Sequence, residues 1–273
     1  MEKKSDFLKF LKLSQEDVLP GDSIHKIITR QLDAVIIENV FDKNECNMIV
    51  NHLEKNTIDF EITEFPAPFK SIFYGRNLNL NEPDLKDYFD AAQQFHEKLK
   101  LLEKASDVPI LKRLQAMMSE LNANQVVSAA PGPSDYVHYF TTFRKHSPGG
   151  YIPAHFDNEQ RLRPTYRYIS NVTQGDIFSF VVTLSEAQSG GVLEIYDLTS
   201  DDARYMRNQD GSKKPDLSYV KKQQLHVPTG GMAIVNSGRR LHRVVSVEGS
   251  ANRWTMCSFM AQAHDSNNVY CWG

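Results

Sequence analysis

The chain has 273 residues, of which 41% are hydrophobic and 24% are charged; these proportions are ordinary for globular proteins and exclude disorder along the whole length. Its 31 basic and 34 acidic side chains give a net charge of −3, which argues against general nucleic-acid binding, since such binders carry a basic excess. No run of about 18 apolar residues is present, and the first residues lack a signal-peptide apolar region. Three scattered cysteines do not make a disulfide framework, so we expect a cytoplasmic protein with reduced thiols and no membrane partner.

The first half of the chain predicts helices and one strong strand. Residues 1–31 have weak helical character, and a β-branched run over residues 34–40 predicts a strand. Apolar residues then recur at intervals of three and four in three segments, which predicts helices over residues 44–55, 84–104 and 111–121. Asp42 is expected to cap the first of these three helices, with Glu45 completing a capping box. Residues 57–80, between them, predict strand and loop.

The second half of the chain predicts strands separated by short Gly or Pro turns. The predicted strands lie at residues 136–144, 177–184, 191–196, 225–227, 232–236, 242–247 and 253–261. Such spacing is typical of an antiparallel barrel or jelly roll. We therefore expect one domain over residues 1–273, with a helical or mixed part at 1–130, a β core at 131–265 and a tail at 266–273. The long polar segment 197–224 is expected to be a lid inserted in the core.

The segment around His155 and Asp157 carries the first chemical signal. In a strand, residues two apart face the same side, so this histidine and carboxylate would lie together. They would supply two ligands of a 2-His-1-carboxylate site, which binds Fe(II) on one octahedral face and leaves three positions open. A lone His-x-Asp pair occurs often by chance, so the hypothesis needs a third ligand.

His242 supplies that third ligand, 87 residues after His155 (242 − 155) in a β-rich run. Arg253 follows eleven residues later (253 − 242), a spacing that can return it to the same cavity on an adjacent strand. A guanidinium there suits the distal carboxylate of 2-oxoglutarate, because the two groups match bidentately. The alternative interpretation of Arg253 is that it is an exposed arginine at the end of a strand.

Taken in order, these residues and Gly190-Gly191 resemble the motifs of Fe(II)/2-oxoglutarate-dependent oxygenases. The resemblance implies a mainly β fold with α-helices, in which a double-stranded β-helix core (jelly-roll, cupin-like) is flanked by N-terminal helices. Residues 83–89, 236–255 and 269–272 are further similar to the small-molecule branch of these enzymes. That branch holds radical halogenases of the hapalindole and welwitindolinone pathways and hydroxylases of N-substituted, for example N-succinyl, amino acids. The resemblance extends from about residue 30 to the end.

One residue departs from the halogenase pattern. The halogenases carry Gly in place of the carboxylate, which opens a coordination position for chloride, whereas this chain has Asp157. The resemblance therefore implies a hydroxylase of an unactivated C–H bond in an amino-acid-derived or N-acyl (N-succinyl) amino acid substrate. It also implies Fe(II) held by His155, Asp157 and His242, 2-oxoglutarate anchored by Arg253, and O₂ as the oxidant.

Several further residues are candidates for binding, each with a structural alternative. Tyr139 and Thr141 could hydrogen-bond 2-oxoglutarate or belong to the core. His264 could edge the substrate pocket or be purely structural. A set of arginines could bind an acidic group of the substrate or be solvated: Arg161, Arg163 (the favoured one), Arg167, Arg76, and Arg204 and Arg207 in the lid.

Other functions stay open at this stage. A radical halogenase is disfavoured by Asp157, and a non-redox metal-binding cupin-like protein is opposed only in part by Arg253. A protein substrate is also compatible with the sequence. We expect a small-molecule substrate that bears a carboxylate, with no nucleic-acid partner, and a homodimer is one state that the sequence permits.

Overall fold

A computed structural model describes residues 7–14, 17, 21–202 and 216–273. The fold is mainly β with α-helices, as expected, and it consists of two facing sheets with helices packed on the outer side of the larger one. Among the described residues, no helix combines the length and apolar composition that crossing a bilayer requires.

The elements are numbered in chain order. The strands are β1 (Phe10–Ser14), β2 (Ala34–Glu38), β3 (Ile62–Glu64), β4 (Ser71–Tyr74), β5 (Val127–Ala129), β6 (Thr142–His146), β7 (Ile152–His155), β8 (Thr173–Ser185), β9 (Ser189–Gly190), β10 (Leu193–Thr199), β11 (Lys222–Leu225), β12 (Met232–Val235), β13 (Arg240–Val244), β14 (Val247–Glu248), β15 (Arg253–Ala263) and β16 (Val269–Trp272). The helices are α1 (Ser23–Ile28), α2 (Lys43–Glu54), α3 (Lys86–Ser106), α4 (Ile110–Leu121) and α5 (Arg167–Val172).

The larger sheet runs in the order β1-β2-β12-β8-β15-β6-β4-β3, with β16 beside β15 and β5 beside β16. The smaller sheet has the order β11-β10-β13-β7. Strands β9 and β14 form a separate short pair. The large sheet therefore places β6, β8 and β15 opposite the small sheet, and the candidate site lies between them.

The larger sheet buries side chains on both faces. In β2, Val35 and Ile37 belong to the main core shared with the helices, whereas Ala34 and Ile36 pack with Ile195 of the smaller sheet. Because side chains alternate along a strand, a strand covered on both faces has a nearly continuous apolar sequence. This explains why the run at residues 34–40 was so clear a strand signal.

The helix predictions in the first half are confirmed, with one exception at the N-terminus. The capping box is present: Glu45 donates its backbone N–H to Asp42 Oδ1 (2.9 Å), and Asp42 donates to Glu45 Oε2 (2.9 Å). The helical expectation for residues 1–31 was only partly correct. Strand β1 lies there, paired in parallel with β2, and this pairing is invisible in the local sequence because the partner lies 24 residues later (Phe10 pairs with Ala34).

Three further expectations need correction. The strand predicted over residues 136–144 begins only at Thr142, because the preceding backbone bonds elsewhere; His138, for example, donates its N–H to the Ala130 carbonyl. The tail predicted over residues 266–273 contains β16, which pairs with β15 and β5. The predicted lid, residues 197–224, begins inside β10 and ends inside β11, and residues 203–215 lie outside the described residues.

Candidate active site

Two histidines face each other across adjacent strands of the smaller sheet. His155 ends β7, His242 lies in β13, and the two residues are direct partners in the antiparallel register. Their ring centroids are 4.3 Å apart. The register slips by one residue between this pair and the next one, Val244 and Ile152. The irregularity lies directly beside the two rings.

Asp157 completes the group, by a different route from the one the sequence suggested. Strand β7 ends at His155, and Asp157 is the first residue of a 3-10 helix (Asp157–Leu162), so the same-face argument for a strand was wrong in detail. The carboxylate nevertheless returns to the histidines, with Oδ1 3.2 Å from His155 Nε2 and Oδ2 3.8 Å from His242 Nε2. One potential ligand atom from each of the three residues lies within 4.8 Å of the other two. We call these residues the trio.

Both rings are held in one orientation by backbone carbonyls. His155 Nδ1 donates to the Pro153 carbonyl over 2.7 Å, and His242 Nδ1 donates to the Arg240 carbonyl over 3.0 Å. A proton fixed on Nδ1 leaves the Nε2 lone pair free, which is the arrangement that metal-binding histidines need. The trio therefore fits a divalent metal in donor type, number and orientation.

The electrostatics of the trio also favour metal binding. Burial raises the pKa of Asp157, but hydrogen bonding and charge from the two histidines outweigh it, so the pKa falls to about 2. Burial, together with repulsion from His155, lowers the pKa of His242 to about 4. For His155, burial lowers the pKa, yet the Asp157 carboxylate raises it by more. Near neutral pH the site thus offers an ionised carboxylate and at least one neutral imidazole.

Asp157 is held by a residue that the sequence did not single out. Gln160 donates from Nε2 to Asp157 Oδ1 over 2.9 Å. Its own Oε1 accepts from Asn79 Nδ2 (3.0 Å) and from the Tyr166 hydroxyl. Because Gln160 lies three residues after Asp157 in a 3-10 helix, their side chains share one face. The spacing of three residues between Asp157 and Gln160 indicates this contact only when the 3-10 helix is already known.

Three connected cavities surround the trio. The metal cavity, about 90 Å³, is lined by the trio itself. The inner cavity, about 290 Å³, leads between the sheets to Arg253, and the outer cavity, about 480 Å³, opens past Asn79 and Arg163. Arg144 and Ile152 line all three cavities, so the cavities meet at these two side chains.

Arg253 lies in the wall of the inner cavity, on the inward face of β15. It is only 8% exposed, and burial lowers its pKa to about 10. Within the described part of the chain, no carboxylate forms an ion pair with it. The Gly190-Gly191 turn packs against its side chain: a Cβ at Gly191 (φ +65°) would lie 2.8 Å from Arg253 Cδ. A buried, unpaired guanidinium requires an anion, which this cavity can admit.

Tyr139 and Thr141 lie away from the three cavities, contrary to expectation. Tyr139 is fully buried, accepts a hydrogen bond from the Arg76 backbone N–H and packs against the ring of Phe95. Thr141 donates to the Cys257 carbonyl. The physical reason is the phase of the strand: Thr142, not Thr141, faces the space between the sheets.

Among the predicted substrate-binding residues that the structure describes, only Arg163 borders the outer cavity, where it donates to the Asn79 carbonyl. Arg161 donates to Thr173 and lines none of the three cavities. Arg76 pairs with Glu61 and Asp87, and the His264 ring bonds the Ser170 carbonyl. Arg167 donates to the Pro83 carbonyl. Arg204 and Arg207 lie outside the described residues.

Arg144 is the main residue that sequence reasoning missed. Its guanidinium lies over the rings of Phe65 and Phe73, at 5.3 and 5.7 Å, and its Nε has no hydrogen-bond partner among the described residues. The sequence could have indicated Arg144 through the alternation of side chains along a strand. Thr142, Arg144 and His146 share the inward face of the strand that precedes the metal motif.

A model of the protein family described as carrier-protein-independent halogenase WelO5 matches residues 7–273. Among solved structures, the chain is similar to an N-substituted L-amino acid dioxygenase from Burkholderia ambifaria AMMD in complex with alpha-KG. The two chains are 13% identical, with a TM-score of 0.59 and coverage of 93% of this chain and 91% of that one. It is also similar to the non-heme alpha ketoglutarate dependent epimerase SnoN from nogalamycin biosynthesis (10% identity, TM-score 0.50, 88% and 83% coverage). No curated protein is similar enough in sequence to count as a match.

The two solved structures share the fold of this chain, and the trio is a group of side chains that could hold a metal ion. The protein is an Fe(II)/2-oxoglutarate-dependent oxygenase, an enzyme class that uses Fe(II) with 2-oxoglutarate and O₂ as co-substrates. Within that class, the chain belongs to the family of the carrier-protein-independent halogenase WelO5.

Proposed function

We propose that this enzyme hydroxylates an unactivated C–H bond of a small molecule, with Fe(II) held by the trio His155, Asp157 and His242. The observation that supports this assignment is the convergence of one potential ligand atom from each trio residue within 4.8 Å, with both rings oriented by backbone carbonyls. We also infer that the two facing sheets form the double-stranded β-helix of a single domain.

Bound Fe(II) supplies the activation of O₂, coupled to conversion of 2-oxoglutarate into succinate and CO₂. The residues of this chain bind, orient and shield the reactants. Arg253 holds the distal carboxylate at the end of the inner cavity, where no described carboxylate competes for the guanidinium. The apolar side chains of Ile152, Val244 and Phe259 exclude water near the trio.

Asp157 favours hydroxylation over chlorination. Its carboxylate is 1% exposed and is fixed by Gln160, so it occupies the position between the two histidines. A chloride ion at the same coordination position would compete with a buried carboxylate whose pKa is about 2 and which is therefore ionised. Hydroxylation needs no such additional ligand.

The substrate is a carboxylate-bearing small molecule that enters the outer cavity. Arg163 borders this cavity, and Arg144 presents a second guanidinium at the junction with the metal cavity. Two cationic groups near one opening suit an anionic substrate, such as an N-acyl amino acid. The similar dioxygenase from Burkholderia ambifaria acts, by its name, on N-substituted L-amino acids, which is consistent with this assignment.

Radical halogenation is the second candidate, and the family model is the observation that favours it. One experiment separates the two. The enzyme is incubated with Fe(II), 2-oxoglutarate, O₂ and a panel of N-acyl amino acids in saturating chloride, and products are analysed by mass spectrometry. Products that gain one oxygen, with one succinate formed per turnover, support the hydroxylase. A chlorine isotope pattern in the product would overturn it in favour of the halogenase.

A further inference from the structure

His146 is a buried histidine at the inner cavity that has no hydrogen-bond partner. Its side chain is fully buried, it lines the inner cavity, and both ring nitrogens lack a partner among the described residues. Buried polar side chains are nearly always paired, so an unpaired imidazole that lines a cavity indicates that a ligand supplies the partner.

The surroundings of His146 define what that ligand is. On adjacent strands, His146 is the direct register partner of Arg253, and Arg144 shares its strand face two residues earlier. Burial and the positive charges of these two arginines lower the pKa of His146 well below its usual value. The ring is therefore neutral, and it presents one N–H donor beside a buried guanidinium. This combination suits a carboxylate.

The described residues do not provide that carboxylate. Glu186 is the acidic side chain that lines the inner cavity, but its oxygens accept from the Thr229 backbone N–H (2.9 Å) and from the His226 ring (2.8 Å). Within the described residues it forms no bond to His146 or Arg253. An external anion is left as the partner of both.

We propose that His146 is a co-substrate-binding residue: its ring N–H donates a hydrogen bond to the distal carboxylate of 2-oxoglutarate, next to Arg253. The inference rests on the proposed function, in which Arg253 anchors that carboxylate. A carboxylate has two oxygens and about four acceptor positions, so it accepts from the guanidinium and the imidazole together. The directly opposed positions on β6 and β15 bring both donors to one end of the cavity.

The test compares two ligands that differ only in the distal carboxylate. 2-Oxoglutarate and 2-oxopentanoate are titrated separately into the Fe(II)-loaded protein without oxygen. The dissociation constant of each is taken from the growth of the metal-to-ligand charge-transfer absorption band. His146→Phe, which keeps a ring but removes the donor, should weaken 2-oxoglutarate binding by about tenfold. Binding of 2-oxopentanoate should change less than about twofold. His146→Asn or His146→Gln, which restores an N–H donor, should recover most of the loss.

A matched control is His138→Phe. His138 is also fully buried, with one ring nitrogen unpartnered, but it lines none of the three cavities, so its loss should leave the ratio of the two dissociation constants unchanged. If His146→Phe does not fold, His146→Ala takes its place and the same ratio decides. An unchanged ratio in the His146 variant would overturn the inference.

The Arg253→Leu variant shows which proposal has failed. If Arg253→Leu weakens 2-oxoglutarate selectively but His146→Phe does not, the role of His146 is wrong and the co-substrate site stands. If neither variant distinguishes the two ligands, the assignment of the inner cavity to 2-oxoglutarate is wrong. Iron content measured on each variant excludes loss of the metal as the cause.

Discussion

Gln160 donates a hydrogen bond to Oδ1 of Asp157 over 2.9 Å from within the same 3-10 helix, and thereby fixes the carboxylate between the two histidines. The Gln160 amide is itself fixed, since its oxygen accepts from Asn79 and from Tyr166. Asn79 and Gln160 both line the outer cavity. The orientation of the proposed metal-binding carboxylate is thus connected to the wall of the proposed substrate chamber.

Replacing Gln160 should weaken metal binding without unfolding the protein. Gln160→Leu keeps the volume of the side chain but removes the donor to Asp157, so we expect Fe(II) affinity to fall by roughly tenfold or more, as for other partners of metal ligands. Competition titration with a metal-binding dye measures the effect. Gln174→Leu is the control, because Gln174 bonds the Ala263 carbonyl, away from the trio. Equal affinities in wild type and Gln160→Leu would contradict the orienting role.

Removing His242 should abolish both iron binding and succinate formation. His242→Ala leaves two ligands, which cannot define a coordination face. The measurements are iron content after anaerobic loading and succinate release from 2-oxoglutarate. His264→Ala is a matched control, because that exposed ring lies outside the trio and bonds the Ser170 carbonyl. Wild-type iron binding and turnover in His242→Ala would show that the metal is held elsewhere.

Arg253→Leu should raise the KM for 2-oxoglutarate by about tenfold or more, because a charged bidentate contact contributes about 1.5–3 kcal/mol. Iron content should stay at the wild-type level, since the guanidinium is not part of the trio. Arg243→Leu serves as the comparison. Arg243 follows His242 directly on β13, and its guanidinium bonds Glu194 over 2.7 Å. A larger KM change in Arg243→Leu than in Arg253→Leu would reverse the two assignments.

His138 should make the stability of the fold sensitive to acid. Burial lowers the pKa of His138 from 6.5 to about 3, so the unfolded chain binds a proton between these values that the folded protein does not. The free energy of unfolding therefore falls as the pH drops below 6.5, by about 2 kcal/mol at pH 5 from this residue alone. In the metal-free protein, His138→Phe should lose that part of the pH dependence.

Urea unfolding of the metal-free protein at pH 7.5 and pH 5 measures this difference. The comparison between wild type and His138→Phe isolates His138, because every other titrating group is common to both. A loss of stability between the two pH values that is the same in wild type and His138→Phe would contradict the buried-histidine explanation.

Much of the candidate site was predictable from sequence spacing. The three members of the trio and Arg253 were identified from a His-x-Asp pair, a distant His and an Arg eleven residues later, and the structure brings all four to one set of cavities. The inward-facing Arg144 and His146 were not identified. Tyr139 and Thr141, of the opposite strand phase, were the candidates instead, whereas the strand begins at Thr142 and its even-numbered residues line the cavities.

The sequence by itself determined what depends on near neighbours in the chain. The Asp42–Glu45 capping box and the apolar periodicity of α3 involve contacts at most four residues apart, so propensity and pattern were sufficient. Tertiary structure alone decided the parallel pairing of β1 with β2 and the opposition of His146 to Arg253, which lie 107 residues apart (253 − 146). Many distant strands have a similar local propensity, so local sequence does not select the pairing partner. The partner is selected because the pairing buries both faces of the sheet, and that burial exists only when the whole chain has folded.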